Sequence, residues 1–77
     1  MTFAGDALRA GRREAGLSRR RLAELVRIFH GVTVSEETLR RHEAGISDPR
    51  WSHVRAYAYA LGVDLRTFDP TSRTGRG

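Results

Sequence analysis

Cysteine is missing from this chain, and so are lysine, asparagine and glutamine. Without cysteine there are no disulfide staples and no thiolate-bound zinc, so the fold must stand on apolar packing. No segment approaches the roughly 18 apolar residues of a membrane span. The first residues, Met-Thr-Phe-Ala-Gly-Asp, lack the basic stretch and apolar run of a secretory leader, so a cytoplasmic location is expected. His30, His42 and His53 show no metal-ligand spacing and have no clustered carboxylates in the sequence around them. Nor is there a nucleophile–base pair or a phosphate-cradling glycine loop. The expectation is therefore no enzyme, no cofactor, no metal and no small-molecule ligand. Seventy-seven residues allow one domain with a modest core.

What the chain does have is arginine. All fourteen basic residues are Arg, against nine acidic ones, for a net charge of +5 and a sequence pI near 11.2. A GC-rich coding bias explains arginine in place of lysine but not the excess of positive charge. That excess is the electrostatic footprint of a phosphate-backbone binder.

The pattern predicts an all-α fold of four to five short helices. The first is expected from Phe3 to Ala15, with Ala4, Leu8, Gly11 and Ala15 on one face and Gly16 as its stop. Ser18 caps a second helix running to about His30, with Leu22, Leu25, Val26 and Phe29 inward, and Gly31 ends it. Val32-Thr33-Val34 favours an extended connector. A hairpin over Val26–Val34 is the competing reading, against which the apolar stripe continuous from Leu22 favours the helix. Ser35 caps a third helix with Glu36 and Glu37 in its first turn, Leu39 and His42 inward, and Gly45 as its stop. Pro49 precedes a fourth helix, Arg50 to Leu61, whose core stripe is Trp51, Val54, Ala58 and Leu61 with Tyr57. Gly62 ends it, and Asp64 caps a last turn, Leu65 to Phe68. Residues 1–69 read as the domain. After Pro70 no apolar side chain follows, and residues 70–77 read as a disordered basic tail, in which Arg73 and Arg76 are the cations.

One basic helix following another is how a small domain presents side chains to a DNA groove. From Leu8 to about Phe68 the chain resembles the Cro/C1-type (XRE-like) helix-turn-helix family of phage and bacterial repressors. The matching pieces are Leu8-Arg9-x-x-Arg12, Glu14-Ala15-Gly16-Leu17-Ser18, Leu22-Ala23-Glu24-Leu25, Ser35-x-x-Thr38-Leu39-x-Arg41-x-Glu43-x-Gly45, Asp48-Pro49 and Ala60-Leu61-Gly62-Val63. The resemblance implies a lambda-repressor-like fold with helix three as the recognition helix in the major groove and helix two across it. It also implies a homodimer on a palindromic double-stranded operator, acting in transcription regulation, as a repressor, in the cytoplasm at the nucleoid.

Three departures stand out. About six extra residues, Arg27 to Val32, lie between helix two and the recognition helix and extend the second helix or its turn. Arg19 stands where the family usually has Gln. Gly11 and His42 replace larger apolar residues and are expected to thin the core.

Arg41 and Arg40 are the expected base readers, because Arg bidentate to guanine O6 and N7 is the commonest specific contact and no amide side chain is available for adenine. Phosphate is the alternative for each. Glu36 and Glu37 either accept from cytosine N4 or simply stabilise the helix start. Backbone contacts are expected from Arg19, by the resemblance, from Ser35 and Arg20, and from Arg50 in the loop that family members use to grip the backbone. Arg21 is a further cation there, and Arg20 and Arg21 read equally as a solvated face. The resemblance pairs Arg12 with Glu43 as a structural ion pair. Leu65, Phe68 and parts of helix four are the expected dimer surface, with Trp51 and the tyrosines as core or dimer surface. Two rival readings are a protein-interaction module of helix-turn-helix ancestry (antitoxin, antirepressor or polymerase-binding factor) and a non-specific nucleoid or RNA binder.

Overall fold

The computed structural model describes residues 3–69. Among them are four α-helices and one closing turn: α1 (Gly5–Glu14), α2 (Arg19–His30), α3 (Glu36–Ala44), α4 (Trp51–Leu61) and a 3₁₀ turn (Leu65–Phe68). The all-α architecture is the one expected. The basic tail 70–77, including Arg73 and Arg76, lies outside the described residues.

Local chemistry sets the helix ends. Ser18 Oγ accepts from the Arg21 amide at 3.0 Å, and Ser35 Oγ accepts from the Thr38 amide at 3.0 Å. Each satisfies one of the amides that a helix start leaves without a partner. Asp64 does the same for the 3₁₀ turn, accepting from the Arg66 amide at 2.8 Å. At the far end of α3, Gly45 adopts φ 75°, which lets the Ile46 amide reach back to the Arg41 carbonyl at 3.0 Å. α2 stays helical through His30 and stops at Gly31 (φ 65°), so the hairpin alternative does not form.

The core is built from Leu8, Leu22, Val26, Leu39, Val54, Tyr57 and Phe68, all essentially without solvent exposure. α1 packs on α3, and α2 packs on both α3 and α4. The 3₁₀ turn closes the molecule: the Ala4 amide donates to the Phe68 carbonyl at 2.8 Å, and the Phe3 and Phe68 rings lie 5.2 Å apart.

Several expected positions differ. α1 is shorter than Phe3–Ala15, and Ala15 is exposed, while Ala7, Leu8 and Arg12 are buried. Phe29 is 71 % exposed and Leu25 only half-buried, because the last turn of α2 meets α4 through His30, whose ring stacks on Tyr59 at 5.7 Å, and Phe29 lies outside that contact. Trp51 is 54 % exposed and leaves the α4 core stripe, whereas Ala56 enters it and Tyr57 is buried as expected. Phe68 is fully buried, so it forms no dimer surface; Leu65 is half-buried. Gly11 and His42 do not thin the core. A Cβ at Gly11 would already meet Leu61 Cδ1 at 3.2 Å, and His42 fills its place by bonding to Tyr57.

Candidate nucleic-acid interface

α3 has two different sides. Its buried side carries Leu39, His42 and Glu43; its exposed side carries Glu36, Glu37, Arg40 and Arg41. The difference follows from 100° per residue, since positions 39, 42 and 43 fall within one arc of the helix.

Glu43 anchors the buried side. Its carboxylate is only 2 % exposed and accepts from three guanidinium nitrogens. Arg12 of α1 donates through Nε at 2.6 Å and Nη2 at 3.2 Å, and Arg19 at the start of α2 donates through Nε at 3.1 Å. Arg12 Nη1 also donates to the Leu17 carbonyl at 2.8 Å, which ties the α1–α2 connection into the same network. A buried carboxylate is tolerable only when its lone pairs are met in this way. One side chain of α3 therefore fixes its position against both preceding helices.

On the exposed side, Glu37 holds two arginines. Arg40 donates to it through Nε at 3.0 Å and Nη2 at 2.6 Å, and Arg41 donates through Nε at 3.2 Å. These are neighbours at i+3 and i+4 on one helix face. The hydrogen bond from Arg40 is the main reason the Glu37 carboxyl is held down at about 2; desolvation opposes it, and the charges of Arg40 and Arg41 and the Arg41 hydrogen bond add to the lowering. Arg40 is pushed up in return by the same hydrogen bond and charge. Glu36 is exposed and makes no ion pair among the described residues. Ser35 is occupied as the helix cap, and its hydroxyl also donates to Thr38 Oγ1 at 3.0 Å.

Beside this face, Arg9, Arg19 and Arg40 line a cleft of about 220 Å³ with Glu43 and Ala44. It brings together cations from α1, α2 and α3. Arg9 was missed in the sequence; the available signal was its place three residues before Arg12, on the same side of α1. Arg20 is exposed, and Arg21 is tied to Glu24 at 2.6 Å on the outer face of α2. Arg50 is exposed as the residue preceding α4, and its side chain makes no capping bond. Among the described residues no group of three His, Asp or Glu side chains could hold a metal ion, and no helix is long and apolar enough to cross a membrane.

No curated protein and no solved structure matches the chain. A family model described as a helix-turn-helix domain matches residues 4–69, nearly all of what the structure describes. That span takes in α1 to α4, with the Arg12–Glu43 anchor and the exposed arginine face of α3 inside it. The chain belongs to the helix-turn-helix domain family.

Proposed function

We propose that this domain is a sequence-specific double-stranded DNA-binding protein, a transcriptional repressor of phage or bacterial origin that acts as a homodimer on a palindromic operator in the cytoplasm, at the nucleoid. α3 enters the major groove, and α2 lies across it. The observation that carries the reading is the two-sided α3, anchored from behind by Glu43 and presenting Arg40 and Arg41 outward. Arg41 and Arg40 face the groove, Glu36 and Glu37 flank them, and Arg19, Arg20, Ser35 and Arg50 meet the backbone. The test is selection of bound sequences from a random duplex pool. A guanine-containing palindrome with half-sites about one helical turn apart is the expected product; no enrichment over the input pool overturns the reading.

A protein-interaction module is the second reading, and the apolar surface on α2 and α4 favours it. Phe29 and Tyr59 are exposed there and border a groove with Leu25, His30 and Ala60. That reading requires no shift of any duplex at low salt. A DNA binder with several phosphate contacts instead binds tightly at low salt and loses affinity steeply as salt rises.

A further inference from the structure

Arg40 and Arg41 stand side by side on α3 with the same chemistry, yet Glu37 treats them differently. It takes Arg40 fork on fork, so that the Nε and Nη2 edge of that guanidinium is spent on Oε1 and Oε2. It takes Arg41 through Nε alone, which leaves the Nη1 and Nη2 pair of Arg41 unengaged among the described residues. That pair is an edge suited to the O6 and N7 acceptors of a guanine. The second observation is independent of the first. Arg40 lines the cleft with Arg9 and Arg19, whereas Arg41 does not. A side chain among cations from three helices is placed for a phosphate, which positions without specifying.

We propose that Glu37 is a positioning residue that makes Arg41 the guanine reader of α3 and assigns Arg40 to the DNA backbone. The proposal rests on the DNA-binding reading above. Anchoring Arg41 at Nε points its free end outward and removes rotamers that it would otherwise have to give up on binding. With Glu37 removed, both arginines swing freely and either can settle on any phosphate. Affinity for every sequence then rises while preference between sequences falls. Glu36 supplies the control, being a carboxylate on the same turn with the same charge and no ion pair among the described residues.

The experiment measures anisotropy titrations with the duplex selected from the pool, and with the same duplex carrying 7-deazaguanine, which lacks the N7 acceptor, at the guanine of each half-site. The wild-type domain is expected to discriminate by about tenfold, the scale of one bidentate arginine–guanine contact. Arg41→Ala should abolish that ratio. Arg40→Ala should keep it while the slope of log affinity against log salt becomes shallower by about 1.8, one phosphate contact being lost in each half-site. Glu37→Gln should reduce the ratio several-fold, and it should have no further effect on the ratio in the Arg41→Ala background. Glu36→Gln should raise affinity for both duplexes equally and leave the ratio alone. Discrimination that is lost with Arg40 rather than Arg41, or equal behaviour of the two glutamate variants, overturns the proposal. A separate arm uses the DNA-free protein, in which Glu37→Gln should move the Nε–Hε resonances of Arg40 and Arg41. Unmoved resonances overturn the assignment of Glu37 while leaving the DNA-binding reading intact. Failure of the wild-type domain to bind any duplex at low salt removes that reading and this proposal with it. All four residues are exposed, so matching thermal melts are expected to show that the variants fold.

Discussion

Gly5 opens α1 against the backbone of the last turn of α3. A Cβ built there would lie 2.3 Å from the His42 carbonyl oxygen and 2.6 Å from that of Glu43. No rotamer change can relieve this, because the obstacle is main chain on an element held by the Arg12–Glu43–Arg19 network. The one remaining response is for α1 to move away from α3, opening the contact between them. Gly5→Ala should therefore destabilise the domain by about 3 kcal/mol, the upper part of the range for overpacking a tight site. Urea denaturation should show a lower midpoint at unchanged slope. A loss below about 0.5 kcal/mol, ordinary for a surface site, would mean that the two helices are not in close approach. Nothing in the sequence pointed to this glycine. Its requirement comes from an element more than thirty residues away, and the local pattern of Ala4-Gly5-Asp6 reads only as a helix start.

At the scale of elements, the legible features are those whose physics is local. Ser18, Ser35 and Asp64 cap the turns that follow them because a side-chain oxygen needs only its own next two or three amides. Glycines 31, 45 and 62 end their helices for an equally local reason. Which way a helix face points depends on what lies opposite, and there the pattern overreached. Phe29 continues the stripe of Leu22 and Val26 at the right angle, but the last turn of α2 meets α4 through His30 on Tyr59 and leaves Phe29 exposed. Trp51 fails likewise at the first residue of α4. The candidate site divides along the same line. The outward face of α3 followed from periodicity, whereas Arg9 in the cleft and Arg19 on Glu43 depend on how three helices meet. The contrast within α2 is measurable. Leu22→Ala should cost about 3 kcal/mol from lost burial and the cavity left behind, and Phe29→Ala about 0.5 kcal/mol or less. Equal losses for the two variants in chemical denaturation would show that Phe29 is covered in solution.

For the molecule as a whole, the buried side of α3 makes stability depend on pH near neutrality. His42 is 4 % exposed. Its Nδ1 and the Tyr57 hydroxyl are hydrogen-bonded at 2.8 Å, and the His53 ring centroid lies 5.9 Å away. Desolvation pushes its pKa below the ordinary 6.5, the neighbouring His53 adds to the shift, and Asp48 opposes it. The Tyr57 hydroxyl is pushed well up by burial and by the charge of Glu43, so it stays protonated throughout this range. A depressed histidine pKa means that the unfolded chain binds the proton more readily than the folded one. Stability is then full above pH 6.5 and falls as the pH drops from there through the folded-state value. The carboxylates with lowered values, Glu37 and Asp64, begin from 4.5 and 3.8 when unfolded and lose their contribution only in more acid solution, outside this window. Denaturation free energy measured from pH 7.5 to 5.5 should therefore decline in the wild-type domain. His42→Gln keeps a hydrogen-bonding partner for Tyr57 but cannot take up a proton, so its profile should be flatter over the same interval even if its absolute stability is lower. Parallel profiles for the two proteins would place the proton uptake elsewhere. A flatter variant profile would show that the residue packing α3 onto the core also carries the first loss of stability on acidification in the fold that presents Arg41.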